Sequence, residues 1–391
     1  MEKSKIWLLY KWILFIGSLY SFKAYFFWGI PDVIVQLIFI ASGILTYMFI
    51  PYLFSVGKKK IVWFLLLLLA SILTSTHMNL NGMINSVLRI IPLFFIIALK
   101  SRYKKDLFLS IRLWFAIFLS VSLVGWILYL SNINFSYSIV YYGKIDGLYQ
   151  YIFKNYYLFL VNLNSIYDYY RFSSVFLEPG YLGCLLSVFL FLGQYKWNKI
   201  NIVFLICLLF TFSLAGWLIT TFIYLLCRLK KSILWLISIV LFALLITNFV
   251  KSYNQGDNWL NNAIFARLEY DEGKGIRGYN RSNEYTDKWF WDQFVHSKDL
   301  FWGRGSAFEF SSTDWKVYIV LYGLFSLIAY LVYLLFPLFS SQYNKYRLVL
   351  FSLIYLLIFA QTIHGVFWFF YLFMYILGVG VITNRENNQY C

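Results

Sequence analysis

Residues 57–76 read GKKKIVWFLLLLLASILTST, a cluster of three lysines followed directly by a long apolar run. An α-helix needs about 20 mostly apolar residues to cross the hydrocarbon core of a bilayer. Lysine and arginine collect at the cytoplasmic ends of membrane helices. The stretch therefore predicts a membrane-spanning helix that begins on the cytoplasmic side.

Apolar runs of this kind recur along the whole chain. Twelve spans are predicted, near residues 6–22, 32–54, 61–76, 83–99, 111–130, 179–195, 199–213, 215–228, 232–250, 315–340, 346–362 and 364–382. Residues 199–228 could instead form one long helix, and only His364–Gly365 separates the last two spans. The fold class expected is an all-α polytopic membrane protein, one integral membrane domain over residues 1–391, with long loops at 131–178 and 251–314.

The composition agrees with lipid as the solvent. Hydrophobic residues make up 61% of the chain and charged residues 13%, whereas soluble domains carry about 25% charged residues. The formal charge of +16 would suggest a nucleic-acid partner in a soluble protein, but basic cytoplasmic turns explain it here. The four cysteines lie far apart in sequence, and no His, Cys or carboxylate cluster has metal-ligand spacing. No nucleic acid, metal or cofactor is expected.

The distribution of basic residues predicts the orientation. With the N-terminus in the cytoplasm, the inner segments carry Lys3, Lys5, Lys58, Lys59, Lys60, Lys100, Arg102, Lys104, Lys105, Lys196, Lys199, Arg228, Lys230, Lys231, Lys345, Arg347 and Arg385. The short outer turns carry only Lys23, and long loops do not enter this rule. Both termini are therefore expected in the cytoplasm, with both long loops outside and the first span as an uncleaved signal anchor.

The first long loop ends in RFSSVFLEPGYLG, residues 171–183. Pro179 fits the first turn of a helix, which places Glu178 at the positive end of the helix dipole. One interpretation is a capped helix start, with Arg171 as the ion-pair partner of Glu178. The functional interpretation is that Arg171 holds a phosphate and Glu178 accepts a proton at the membrane surface.

The second long loop combines charges of both signs with many aromatic residues. Its basic residues are Lys251, Arg267, Lys274, Arg277, Arg281, Lys288, Lys298 and Arg304. The loop could simply rest on lipid headgroups. It could also form a lid whose arginines bind a diphosphate through bidentate hydrogen bonds, with the aromatics stacking on sugars. Residues 273–278 match G-x-G-x-x-G, but no strand–helix unit surrounds them, which favours a turn.

Two more residues are candidates because of their depth. Arg89 lies inside the fourth predicted span, where an arginine indicates a functional site by default. The alternative is that its side chain extends to the outer headgroups. His364 lies at the outer turn between the last two spans, where it could serve as a base or be a bystander.

Taken in order, these features resemble Wzy-type polymerases of O-antigen and capsular polysaccharide, in the group that includes the O-antigen ligases. The segment Arg171 to Gly180 is similar to the R-x-x-G-x-F-x-E/N-P pattern of that group, and FSLAGW at 212–217 is similar to its S-R-G/A-G turn. A third set of residues follows a similar order to "R…W…G-x-G…H-S…G": Arg281, Trp289, Gly303-Arg304-Gly305 and Gly323. The resemblance covers roughly residues 110–340.

The chain also departs from the family pattern. Leu214 stands where the S-R-G turn has its arginine. Residues 311–315 read SSTDW where ligase-like members often have a histidine, which leaves Asp314 or His364 as candidates for that role.

The resemblance implies metal-independent glycosyl transfer at the outer face of a bacterial cytoplasmic membrane. The substrates would be undecaprenyl-diphosphate-linked oligosaccharides, with a flippase and a chain-length regulator as partners in the membrane lipid. It implies diphosphate binding by Arg171, Arg267 and Arg281, with Arg89 in a lipid-side groove. Glu178 is the first candidate for the base, followed by Asp314 and His364. The alternatives are an O-antigen ligase or teichuronic-type polymerase and, from another class, a flippase for the same lipid-linked oligosaccharide.

Overall fold

Helices dominate the computed structural model of this chain, in which 76% of the structure is helical. The structure describes residues 3–75, 80–145, 148–163, 171–228, 248–256, 261, 269–271, 275–276, 284–305, 308, 310, 315–340, 342–361 and 369–382. The helices are α1 (Lys3–Ser21), α2 (Asp32–Phe49), α3 (Lys58–Thr74), α4 (Leu80–Ala98), α5 (Ser101–Leu130), α6 (Pro179–Leu192), α7 (Lys199–Thr211), α8 (Leu214–Arg228), α9 (Glu284–Trp289), α10 (Asp299–Trp302), α11 (Trp315–Leu335), α12 (Lys345–Gln361) and α13 (Phe369–Val381).

The longer helices follow the apolar runs of the sequence. All of them except the short α9 and α10 overlap one of the predicted spans. Residues 199–228 form two helices and not one, because Phe212 between them adopts a left-handed conformation with φ 46°. The predicted span 232–250 lies largely outside the described residues.

Four helical segments are long and apolar enough to cross a membrane: Asp32–Phe49, Leu80–Ala98, Ser101–Leu130 and Trp315–Phe339. Large apolar side chains on them are exposed, and Leu37 and Met48 on α2 are 53% and 68% exposed. Keeping such surface in water costs about 25 cal/mol per Å², whereas lipid accepts it. These helices indicate a membrane protein.

The chain divides into two compact units. The first contains residues 1–117 and 283–387, and the second contains residues 118–282 and 388–391. In the first unit α3 packs against α4 and α11, α2 packs against α1 and α4, and α13 packs against α1 and α4. In the second unit α6 packs against both α7 and α8.

The first long loop contains a sheet that the sequence analysis did not predict. Strands β1 (Ser138–Ile145), β2 (Leu148–Asn155) and β3 (Leu160–Asn162) are antiparallel in the order β1-β2-β3. In the β1–β2 hairpin Tyr142 lies opposite Tyr151. The strand sequences SIVYYGKI and LYQYIFKN are rich in β-branched and aromatic residues, which favour strands. The chain is mostly helical, and this segment is an exception to the expected all-α fold.

Helix α11 is interrupted at Gly323, which has φ 78° and ψ 167°. Beside the interruption, the backbone N–H groups of Arg304 and Gly305 donate to the carbonyl oxygens of Val320 and Leu321 at 2.8 and 2.9 Å. In an unbroken helix such carbonyls accept from residues four positions later. The second loop therefore supplies hydrogen bonds that the helix itself has lost, as irregular backbone in an apolar environment requires.

The described part of the second loop also packs its side chains on α11. Phe290 and Phe294 form a buried cluster with Ile319 and Val320. Both phenylalanines lie in a π-helical turn (Phe290–Phe294) that directly follows α9. Burying a phenylalanine stabilises a fold by about 1.5–3 kcal/mol. The cluster thus attaches the loop to the first half of the broken helix.

Arg304 is held inside this arrangement. Its guanidinium lies 5.1 Å from the ring centroid of Trp289 and 4.9 Å from that of Phe308. Its Nε donates to the Asp299 carboxylate at 2.8 Å. Cation–π contacts contribute about 0.5–2 kcal/mol each. Arg304, Trp289 and Phe308 therefore stabilise the fold of the loop.

Candidate functional site

The motif at the end of the first long loop runs through the interior of the second unit. Residues 172–177 are all buried although they are not helical. The N–H of Phe172 donates to the carbonyl of Phe210, and the carbonyl of Ser174 accepts from the N–H of Leu160, both at 2.8 Å. These two bonds attach the segment to the end of α7 on one side and to β3 on the other. The segment that leads into α6 is therefore held by backbone hydrogen bonds to both α7 and β3.

Arg171 is half-buried at the end of α7. Its Nε donates to the carbonyl oxygen of Thr211 at 3.2 Å. The last carbonyls of a helix carry partial negative charge and attract cations. This bond orients the guanidinium at the junction between α7 and α8.

Glu178 occupies the N-cap position of α6, and Pro179 is the first residue of that helix, as predicted. The Glu178 side chain makes no capping hydrogen bond to α6. Its Oε1 accepts instead from the hydroxyl of Tyr151 on β2 at 3.0 Å, and its Oε2 accepts from none of the described residues. The interpretation of this carboxylate as a helix cap is therefore wrong. The carboxylate is oriented through one oxygen by a tyrosine of the sheet.

Tyrosines surround this carboxylate. The Tyr142 and Tyr151 rings lie 6.5 Å apart on neighbouring strands. Tyr181, in the first turn of α6, interacts electrostatically with Glu178, Tyr151 and Tyr142. All three tyrosines are half-buried. The group combines aromatic faces, hydroxyls and one carboxylate, a combination suited to a polar ligand with apolar faces, such as a sugar.

The second motif, 212–217, contacts the first through glycines. A Cβ built on Gly216 would lie 2.8 Å from the Cα of Gly183, which is shorter than real Cβ contacts. The Ser187 hydroxyl lies within hydrogen-bond distance of both glycine carbonyls, 2.9 Å from Gly183 and 3.1 Å from Gly216. Small residues allow helices to approach this closely. The start of α8 therefore lies directly against the start of α6.

Arg89 belongs to the first unit, where it forms an ion pair with Asp32 at the start of α2. The hydroxyl of Tyr20 donates to the same carboxylate. These groups line a cleft. Arg89 therefore has a specific ion-pair partner in the structure. The alternative interpretation, in which its side chain only extends to the lipid headgroups, does not require such a partner.

The structure brings together only part of the predicted site. Arg171 and Glu178 lie in the second unit, on one buried segment, and Arg89 lies in the first. Asp314, His364, Arg267 and Arg281 lie outside the described residues. Sequence reasoning missed Tyr151 and Asp32. Asp32 could have been found, because an acidic residue at the start of a predicted span, directly after Pro31, indicates a functional position. Nothing in the local sequence distinguishes Tyr151 from its aromatic neighbours.

Comparison of the chain with protein-family models, curated proteins and solved structures finds no match. The class of protein is therefore described from its fold and its candidate sites alone. The chain is a mostly helical protein with apolar helices suited to a membrane. It carries a tyrosine-lined carboxylate site in one unit and an arginine-containing cleft in the other.

Proposed function

We propose that the protein is a metal-independent glycosyltransferase that polymerises undecaprenyl-diphosphate-linked repeat units into O-antigen or capsular polysaccharide. The observation that carries the proposal is the Glu178 carboxylate, which is oriented by Tyr151 through one oxygen and accepts no hydrogen bond at the other from the residues that the structure describes. Arg171 lies on the same buried segment and supplies positive charge. A proton acceptor and a cation are the two groups that this reaction requires.

The proposed reaction moves a growing glycan from one lipid carrier to the next repeat unit. The acceptor hydroxyl oxygen forms a bond with the anomeric carbon of the donor, and the bond from that carbon to the diphosphate oxygen breaks. The hydroxyl proton goes to Glu178 Oε2. The lipid diphosphate leaves with the bonding electron pair, and arginines stabilise its charge. Arg171, Arg267 and Arg281 are proposed for that role, and Asp314 and His364 are the other candidates for the base.

Three positions support the resemblance to Wzy-type polymerases. Ser174 stands where the R-x-x-G-x-F-x-E/N-P pattern has glycine, and its φ is 55°, a conformation that glycine adopts at little cost. Gly216 of the S-R-G/A-G-like turn packs on Gly183. Gly303 of the G-x-G element packs on the interruption of α11 at Gly323. The motif glycines thus have local physical roles in this chain.

The proposed topology has twelve spans in one membrane domain, loops 131–178 and 251–314 outside, and both termini in the cytoplasm of a bacterium. It is supported by the basic residues at every inner turn. It also meets a chemical requirement, because the lipid tail of the substrate lies in the bilayer while its sugars lie in water outside.

Cysteine labelling is expected to reproduce this topology. The native cysteines at 184, 207, 227 and 391 would first be replaced by alanine. In intact cells a membrane-impermeant maleimide should then modify Asn258→Cys but not Asn384→Cys, and permeabilised cells should expose both. Labelling of Asn384→Cys alone in intact cells would show that the orientation is the reverse of the proposed one. The proposed site would then not lie at the outer face.

The second candidate function is a flippase for the same lipid-linked oligosaccharide. A flippase needs a polar path through the bilayer, and the ion pair of Arg89 with Asp32 in the cleft of the first unit is the observation in its favour. Against it, the predicted spans are nearly free of charge while the long loops are rich in it. That balance favours chemistry at the surface.

Deletion of the gene separates the two functions. Without the polymerase, single repeat units should still reach the outer face, and long chains should be absent. Repeat units would be located by treating spheroplasts with a glycosidase that cannot enter the cell, and chain length would be read from a polysaccharide gel. If the unpolymerised lipid-linked units remain protected on the cytoplasmic side, the protein is the flippase.

A further inference from the structure

The turn between α6 and α7 presents a tryptophan among basic residues. Trp197 is 84% exposed, and its neighbours Lys196 and Lys199 are exposed as well. Residues 179–231 contain no Asp or Glu, and their basic residues are Lys196, Lys199, Arg228, Lys230 and Lys231. The turn therefore combines a large exposed aromatic ring with positive charge that no acidic residue of this stretch balances.

The turn is held in one conformation by Asn201, whose side chain is buried beneath it. The Asn201 Nδ2 donates to the carbonyl oxygens of Gly193 and Lys196 at 3.2 and 2.7 Å. Its backbone N–H donates to the Asn198 side-chain oxygen at 2.9 Å, which caps α7. These bonds lie on both sides of Trp197. The exposed position of the ring is therefore a property of the folded turn.

One face of α7 continues from the turn as an apolar surface. Ile202, Ile206 and Leu209 are all exposed, and their spacing of four and three residues places them on one side of the helix. Lys199 precedes Ile202 by three residues and lies on the same side. It is the first residue of α7, where the helix dipole disfavours a cation. A lysine at the end of an apolar face can extend its ammonium to lipid headgroups.

The lengths of the helices bring headgroups to this turn. Helices α6, α7 and α8 contain 14, 13 and 15 residues, and at 1.5 Å per residue they are about 20–22 Å long. The hydrocarbon core of a bilayer is about 30 Å thick. A short apolar helix thins the surrounding bilayer or extends its flanking side chains to the interface. Headgroups are therefore the partner that the ends of α6 and α7 require.

We propose that the α6–α7 turn, residues 193–199, is a docking surface for anionic phospholipid headgroups. Lys196 and Lys199 bind the phosphate oxygens, and the Trp197 ring lies at the boundary between headgroups and acyl chains, where tryptophan is enriched. A zwitterionic headgroup brings its own cation, so an anionic lipid fits the charge better. Glu178 stands at the opposite end of α6. A headgroup contact at the turn therefore also fixes the depth of that carboxylate.

Fluorescence quenching in vesicles tests the proposal on the full-length protein. The vesicles would consist of phosphatidylcholine in which an equal fraction of the lipid is either brominated phosphatidylcholine or brominated phosphatidylglycerol, with bromine near the headgroup end of the chains. The difference between the wild type and Trp197→Phe isolates the signal of Trp197, and the substitution is mild because the ring is exposed. Brominated phosphatidylglycerol should quench that signal at about fivefold lower mole fraction or less, because each basic residue at a membrane surface contributes a factor of about five.

Charge variants assign the preference to the turn. Lys196→Gln/Lys199→Gln should remove the preference for phosphatidylglycerol and leave quenching by brominated phosphatidylcholine in place. Lys199→Arg should keep most of the preference. Lys199→Gln should fold at least as well as the wild type, because it removes a cation from the positive end of α7. Lys298→Gln, which changes an exposed lysine of the first unit, is the matched control and should quench as the wild type does.

Three results would overturn the proposal. Equal quenching of the wild type and Trp197→Phe by both brominated lipids would show that the turn faces water or another protein. Equal quenching of Trp197 by the two lipids would remove the anionic preference, and an unchanged preference in Lys196→Gln/Lys199→Gln would remove the assignment to these lysines. The measurement reports lipid contact and not glycan transfer, so its failure leaves the chemistry proposed for Glu178 untouched.

Discussion

Cells that carry Glu178→Gln at wild-type protein levels are expected to lose long glycan chains. Glutamine keeps the shape of the side chain, and its carbonyl oxygen can still accept from the Tyr151 hydroxyl. It cannot take the proton of the acceptor hydroxyl. Loss of a general base typically slows a reaction about 10²–10⁴-fold. That decrease is enough to remove the bands of long glycan chains from a polysaccharide gel.

The geometry at Glu178 makes this substitution easy to interpret. Removing a capping carboxylate would cost about 1 kcal/mol of stability and lower the amount of protein. The Glu178 side chain makes no capping bond to α6, so that cost should be absent. Glu269→Gln is a matched control in the same unit, because it removes one exposed carboxylate that pairs with Lys251 at 2.9 Å. Its ladder should be normal.

Arg171→Lys tests the cation on the same segment as the proposed base. Lysine keeps the charge but loses the planar guanidinium and the Nε bond to the Thr211 carbonyl, so chain length should fall although the charge remains. Normal ladders from both Arg171→Lys and Glu178→Gln, with wild-type protein levels, would make the pair structural. The diphosphate and base roles would then pass to Arg281 and His364.

The sequence predicts the helices well because each is encoded locally. An apolar run such as residues 61–73 needs no distant partner to form a helix, and α3 (Lys58–Thr74) lies where that run predicts one. The sheet in the first loop was missed for the opposite reason. Aromatic and aliphatic residues occupy both faces of β1 and β2, so the period-two alternation that identifies a half-buried strand is weak.

The candidate sites were predicted only where one residue was conspicuous by itself. Arg89 stands out as a charge within an apolar run, and Glu178 stands out beside Pro179. Their partners are distant in sequence: Asp32 precedes Arg89 by 57 residues, and Tyr151 precedes Glu178 by 27. No local pattern specifies such a pair, because the contact exists only after the elements have packed. The three-dimensional arrangement is therefore needed to distinguish a capping carboxylate from one oriented by a tyrosine.

Gly303 and Gly323 belong to a sequence motif, and both also meet a packing requirement that the sequence alone does not reveal. Gly303 has φ 80° and ψ −178°, and Gly323 has φ 78° and ψ 167°. Both lie in a region of backbone space that is essentially restricted to glycine. A Cβ on Gly303 would overlap the Leu321 carbonyl, and one on Gly323 would overlap the Phe301 carbonyl. Each glycine therefore allows the backbone of the second loop to enter the interruption in α11.

Gly323→Ala is accordingly expected to be one of the most destabilising small substitutions in the first unit. Backbone strain costs about 1–3 kcal/mol for a side chain with this φ and ψ, and overpacking against a backbone carbonyl costs about 1–3 kcal/mol more. The carbonyl that the new Cβ would overlap is that of Phe301, in the loop segment whose Arg304 and Gly305 N–H groups donate to the carbonyls of Val320 and Leu321. Gly303→Ala should behave in the same way, since its Cβ would overlap the Leu321 carbonyl, which cannot move away without losing the N–H of Gly305.

Thermal unfolding of the detergent-solubilised protein, followed by size-exclusion chromatography after heating, measures this effect. Gly57→Ala is the matched control, because no heavy atom lies within 4 Å of its added Cβ and its φ is −118°. The control should unfold close to the wild-type temperature, since it changes only the N-cap residue of α3, while Gly303→Ala and Gly323→Ala should unfold well below it. If Gly323→Ala were as stable as the control, α11 would have to run through Gly323 without interruption. The carbonyls of Val320 and Leu321 would then pair within the helix, and the second loop would lose its backbone attachment to α11.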